Sequence, residues 1–170
     1  MKAALASSLA YRPRLLVLDE PFTGLDALVR EELIEGILES AEDSTILVSS
    51  HDLAEIERFA SHIGYIDQGR LAFSEDMSSL TTRFREVEVT VGTPAILPGD
   101  RGWPANWLNA EVSPSLVRFV DTRFDAESTA LKVRRRFAEV LDISARPMPL
   151  RTIFLAMARS SRQISNGARA

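Results

Sequence analysis

The segment Leu15-Leu16-Val17-Leu18-Asp19-Glu20-Pro21 ends a short, wholly apolar run in two adjacent carboxylates. Four apolar side chains in succession do not alternate between core and water. The run therefore fits a strand buried on both faces, as in parallel sheets covered by helices. Parallel pairing needs a crossover element. The chain supplies one, because Ala27 to Ala41 places Leu28, Leu33, Ile34, Ile37 and Leu38 at helical spacing, and Thr45 to Ser49 follows as a second buried strand. In this strand, helix, strand unit the carboxylates leave the C-terminal end of the first strand and Ser49-Ser50-His51-Asp52 leaves that of the second. Open α/β sheets bind their ligands at that edge.

Before this unit, Met1 to Tyr11 reads as an Ala- and Leu-rich helix closed by Arg12-Pro13, since a residue before proline is pushed out of the helical region. Asp52 to Ser61 suggests a short helix, and His62 to Asp67 with Arg70 to Phe73 a hairpin closed by Gln68-Gly69. The texture changes after about Thr82. Glu86 to Val91 alternates as a strand, and the stretch with Pro94, Pro98, Gly99, Gly102 and Pro104 reads as loop. Leu116 to Val120 reads as a strand, Asp125 to Leu141 as an amphipathic helix, Asp142 to Arg146 as a strand and Leu150 to Arg159 as a closing helix with an apolar stripe of Leu150, Ile153, Phe154 and Met157. The expected domains are 1–82, α/β, and 83–160, a small α+β module. A Ser/Asn/Gly-rich tail, 161–170, is expected to be disordered.

Charge and composition exclude several classes. A net charge of -4 and a pI near 5.3 argue against a protein that neutralises nucleic-acid phosphates. The cluster Lys132, Arg134, Arg135 and Arg136 shares its helix with Glu127 and Glu139 and reads as a solvated face. Without cysteine there are no disulfides or thiolate metal sites, and a reducing cytoplasmic setting is expected. The apolar runs are far shorter than the roughly 20 residues that span a bilayer, so membrane association is expected through a partner. His62 reads as structural.

Two carboxylates at the end of a buried strand suit phosphate chemistry. One can hold Mg²⁺, usually through water, and the other can orient the water that attacks a terminal phosphate. A histidine at the end of the neighbouring parallel strand would reach the same phosphate and stabilise its developing charge. With Thr23-Gly24-Leu25-Asp26 between them, these elements resemble, in order and spacing, the Walker B strand (Leu15 to Glu20), D-loop and switch histidine (His51) of the ABC ATPase family. The resemblance covers Met1 to roughly Ser79. It implies the second half of a P-loop NTPase parallel-sheet domain, followed here by the small α+β accessory domain. It assigns Asp19 to Mg²⁺, Glu20 to the general base, Asp26 to communication across a head-to-tail ATPase dimer and His51 to the γ-phosphate. Ala27 stands where the family commonly has proline.

The implied cofactors are ATP and Mg²⁺. The implied partners are a second ATPase subunit and an integral membrane permease, which would hold the protein at the cytoplasmic face of the plasma membrane. Pro149-Leu150-Arg151-Thr152-Ile153-Phe154-Leu155 is similar to the end of a C-terminal appendage in ABC ATPases of drug, polysaccharide or lipid export, which points to an export permease. The sequence contains no G-x-x-x-x-G-K-[ST] and no Leu-Ser-Gly-Gly, so it lacks the glycine loop that cradles phosphates and the family signature. Met1-Lys2-Ala3-Ala4-Leu5 resembles the helix just after that signature. The expectation is the C-terminal part of an ATP-hydrolysing transporter subunit, inactive alone, from a partial gene or an internal start codon, with a naturally shortened regulator as the alternative. Two other readings stay open: an ABC-type ATPase of DNA repair, chromosome structure or translation, and a non-enzymatic interaction module.

Overall fold

A computed structural model describes residues 7, 10, 11, 13–40, 44–67, 69–93 and 102–167. The helix expected over Met1 to Tyr11 lies almost wholly outside them, as do Gln68 of the hairpin turn and the loop at Pro94, Pro98 and Gly99. The chain divides into two compact units, Met1–Phe59 and Ala60–Ala170.

The first unit is the strand, helix, strand arrangement: β1 (Leu15–Asp19), α1 (Ala27–Ser40), β2 (Thr45–Ser49), and then α2 (Leu53–Phe59). The strands pair in parallel, from Leu15 opposite Thr45 to Asp19 opposite Ser49. Helix α1 starts where Asp26 Oδ1 accepts the Val29 N–H at 3.0 Å, satisfying a backbone donor that has no partner within the helix. Leu33, Ile34 and Ile37 on its inner side are buried with Phe22, against Leu18, Ile46, Val48 and Phe59. The spacing that built this stripe also counted Leu28 and Leu38, and both are exposed. A second difference concerns β1, expected to be buried on both faces. Leu16 is buried, but Leu15, Val17 and Leu47 are each more than half exposed. The helical side chains of this unit pack against the alternate set of strand residues, so one sheet face is covered and the other is open.

The second unit starts with the antiparallel hairpin β3 (His62–Asp67) and β4 (Arg70–Asp76), followed by α3 (Met77–Arg83). A four-stranded antiparallel sheet follows, in the order β6-β7-β5-β8, built from β5 (Arg85–Val91), β6 (Trp107–Val112), β7 (Leu116–Asp121) and β8 (Val140–Pro147). Two helices complete it, α4 (Ala126–Arg136) and α5 (Leu150–Gly167). Val87, Val89 and Val91 alternate inward from β5 and meet Val117 and Phe119 of β7, Trp107 of β6, and Val133 and Phe137 at the end of α4. Trp107 and Phe119 stack with centroids 3.9 Å apart. The hairpin and α3, which the sequence reading set before a boundary near Thr82, fall in this second unit.

Four elements differ from the sequence reading. Helix α3 was not anticipated; Met77, Leu80 and Phe84 are buried along it and just after it. Strand β6 was not anticipated either, because Asn109 at φ 51° sits where the β6–β7 register shifts, and the alternation is lost there. Helix α4 stops at Arg136 rather than Leu141, since Phe137 turns extended at φ −113° and enters the core. Helix α5 continues to Gly167, so the expected disordered tail is helical that far. Its first turns are anchored by the fully buried Leu150 and Ile153, and propagating a nucleated helix gains one hydrogen bond per residue.

Asp121 is fully buried in the second unit. Its carboxylate accepts from Asn106 Nδ2 at 2.7 Å, Thr129 Oγ1 at 2.8 Å, the Arg123 N–H at 2.9 Å and Trp107 Nε1 at 3.2 Å. One carboxylate thus joins β6, β7, the turn after it and α4. Asp121→Ala strands buried donors whose desolvation costs about 1–3 kcal/mol each, so the variant is expected to lose at least about 3 kcal/mol of stability. Urea unfolding followed by tryptophan fluorescence measures this, and a loss below about 1 kcal/mol would show that the carboxylate does not tie these elements together.

Candidate functional site

The parallel register sets Asp19 opposite Ser49, so Glu20 and the Ser50-His51 turn leave the sheet side by side. The Glu20 N–H donates to the Ser49 carbonyl and to Ser49 Oγ, both at 3.1 Å. Ser49 Oγ in turn donates to the Asp19 carboxylate. One serine therefore fastens both acids to the neighbouring strand.

Glu20 adopts φ 46°, the left-handed region, which costs a non-glycine residue roughly 1–2 kcal/mol. This turn swings its carboxylate away from the strand and towards β2. Its Oε2 accepts from Thr23 Oγ1 at 3.2 Å and lies 2.8 Å from His51 Nδ1. The carboxylate is 38% exposed and the imidazole 77% exposed, so the pair opens to solvent. The pKa of His51 is raised, first by the hydrogen bond to Glu20 and then by the negative charge of Glu20; desolvation opposes the rise, and Asp52 and Glu55 add the smallest pushes upward.

Asp19, Glu20 and His51 are thus brought together as the sequence reading expected. Asp26 stands one turn further on, where its carboxylate caps α1 and its carbonyl accepts the Arg30 N–H at 3.0 Å. Gly24 supplies the positive φ of 77° that this turn requires. Two contributors carried no assigned role in the sequence, Thr23 and the hydroxyl of Ser49. A hydroxyl closing an apolar strand beside an acid was the available signal for the latter. His62, in the second unit, has partners the sequence did not suggest: Ser74 Oγ at 3.1 Å from Nε2 and Asp76 Oδ1 at 3.3 Å from Nδ1.

Among the described residues no three His, Cys, Asp or Glu side chains converge as a metal cage. Asp19 and Ser49 offer hard oxygens at the strand ends. That fits Mg²⁺, which is commonly held by one or two carboxylates and completes its shell with water and phosphate oxygens.

No family model matches the chain. Curated relatives do match about half of it. It is 32% identical over 92 residues to the ABC transporter ATP-binding protein YtrB of Bacillus subtilis, covering 53% of this chain and 32% of that one. It is 43% identical over 77 residues to the lantibiotic transport ATP-binding protein SrtF of Streptococcus pyogenes, covering 44% and 33%. It is 36% identical over 87 residues to the bacitracin transport ATP-binding protein BcrA of Enterococcus faecalis, covering 50% and 28%. The chain spans about a third of the length of these relatives. About half of this chain is similar to ABC transporter ATP-binding proteins, and its mixed α/β fold is consistent with the C-terminal part of a P-loop NTPase.

The Glu20–His51 pair gives a direct test. A raised histidine pKa means that the ion pair stabilises the fold fully below the unfolded value of about 6.5 and is lost as pH rises through the higher folded value. Glu20→Gln removes the charge but keeps a hydrogen-bonding group of the same shape, so the His51 midpoint is expected to fall towards about 6.5. An NMR titration of the imidazole Hε1 signal measures it; an unchanged midpoint would mean that the two side chains do not pair.

Proposed function

We propose that Asp19, Glu20 and His51 form the hydrolytic edge of an ABC transporter ATP-binding subunit, which hydrolyses ATP to drive transport, in the export direction, through a partner membrane permease. The 2.8 Å contact between Glu20 and His51 across two parallel strand ends carries this reading. The similarity to ABC transporter ATP-binding proteins supports it.

Glu20 is the general base. Its carboxylate is held in place by Thr23 and His51, and its exposed edge is free to orient a water molecule and take its proton. His51 keeps Nδ1 on Glu20 and so presents Nε2 to an oxygen of the γ-phosphate, where charge grows in the transition state. Asp19, steadied by Ser49, would hold Mg²⁺, which supplies charge compensation for the triphosphate. Asp26, at the start of α1, faces a second ATPase subunit in a head-to-tail dimer. Export rests on the likeness of Pro149 to Leu155 to the appendage of export-type subunits. No helix among the described residues is long and apolar enough to cross a membrane, and the permease places the subunit at the cytoplasmic face.

The sequence holds no phosphate loop, and catalytic carboxylates do not replace one. The 170-residue chain alone is therefore expected neither to bind ATP-Mg²⁺ with micromolar affinity nor to release phosphate. Calorimetry and a phosphate assay check this, and turnover by the chain alone would overturn it.

In a protein that joins this chain to a segment supplying the phosphate loop, Glu20→Gln should slow hydrolysis by roughly 10²–10⁴-fold and leave ATP affinity nearly unchanged. Asp19→Asn should weaken Mg²⁺-dependent binding as well, because it acts in both ground and transition states. A Glu20→Gln rate within about threefold of the parent would remove Glu20 from the role of base.

A further inference from the structure

Arg30, on the first turn of α1, joins the two turns that carry Asp26 and His51. Its Nη2 donates to the Leu25 carbonyl at 3.1 Å, within the turn that ends in Asp26. Its Nη1 pairs with the Glu55 carboxylate on the first turn of α2 and lies 3.9 Å from the Asp52 carboxylate. Asp52 follows His51 directly, and its own side chain caps α2 by accepting the Ala54 N–H at 3.1 Å. The guanidinium therefore spans from the residue before Asp26 to the residue after His51.

The bridge is partly shielded from water. Glu55 is buried, one of the few buried charged side chains among the described residues, and Arg30 is part-buried. Breaking a buried ion pair by removing one partner leaves an uncompensated charge, which the protein strongly resists. Burial raises the Glu55 pKa and the charge of Arg30 opposes that rise. A lysine could not reproduce the arrangement. Its ammonium is a point charge, whereas the planar fork of arginine reaches the carbonyl and the carboxylates from separate nitrogens.

We infer that Arg30 is a positioning residue that locks the Thr23–Asp26 turn to the Ser50–Asp52 turn, so that a displacement at either one is transmitted to the other. This rests on the reading of Asp26 and His51 given above for its use in hydrolysis. The mechanical link itself does not depend on it.

The test is made on the 170-residue chain without nucleotide, so a failure of the hydrolytic reading leaves its outcome intact. Glu55→Gln keeps the shape of the α2 side chain and weakens its hold on Arg30. The variant is expected to shift the Gly24 and Asp26 amide signals, across the bridge from the substitution, together with the His51 ring signals. Arg30→Met should shift both sets as well, and adding Glu55→Gln to it should produce no further movement at Gly24. Arg30→Lys should retain the His51 signals more closely than the Gly24 signal, because a point charge satisfies Glu55 but releases Leu25. Dispersion of the amide signals of β1, α1 and β2 reports whether the first unit is folded in each variant. If Arg30→Met unfolds the first unit, Glu55→Gln decides alone. Gly24 and Asp26 signals that stay at their parent positions in Glu55→Gln, while His51 and α2 move, would overturn the proposal.

Discussion

The parallel ladder between β1 and β2 decides where Asp19, Glu20 and His51 stand. Its five pairs end with Asp19 against Ser49, and that single match sets the Glu20 backbone on the Ser49 carbonyl and brings His51 beside Glu20. A slip of one residue would exchange the faces of a strand and turn Leu16 and Leu18 away from α1. The same burial that fixes the core thus fixes the spacing of the acid and the imidazole, without either side chain contributing much to the packing. Helix α1 secures the register from the covered side, while Ser49 pins it at the end where the acids emerge.

How much of this was legible depended on whether a local pattern or a distant partner decided the structure. The β1 run, the α1 stripe and the β2 run each carried their own periodicity, and their order alone required a crossover, so the meeting of Glu20 with His51 followed. The stripe overcounted at Leu28 and Leu38, because an apolar residue at helical spacing is buried only if the other side of the helix meets something. Strand β6 escaped because the left-handed Asn109 breaks its two-residue period, and α3 because its Ser and Thr residues are indifferent helix formers whose placement is set by Met77 and Leu80 in the core. The end of α4 was decided by Phe137, whose burial between sheet and helix outweighs continuation of the helical pattern through Leu141. The hydroxyl contacts of Thr23 and Ser49, and the reach of Arg30 to Glu55, depend on side-chain directions that spacing does not encode.

The two units hold their charges in contrasting ways. In the second, Asp121 is closed off from water and its acceptor positions are taken by donors from the surrounding elements, so its charge serves cohesion. In the first, Glu20 and His51 satisfy each other at an open edge and stay accessible. Between these extremes lies Arg30, a part-buried cation whose partners belong to both turns of the site. Burial in one place and access in the other follow from the same rule, that a charge kept from water must be fully partnered, whereas an exposed one can remain available for chemistry.

The backbone of Glu20 carries one more consequence. At φ 46° a glycine or an asparagine would rest more comfortably than a glutamate. A library sorted only for resistance to heat would therefore enrich those residues at this position, and every such winner would discard the carboxylate that meets His51. Relief of the backbone strain and retention of the contact with His51 pull this residue in opposite directions. A glutamate retained here under thermal selection would be a sign that its contacts with His51 and Thr23 outweigh the cost of its backbone.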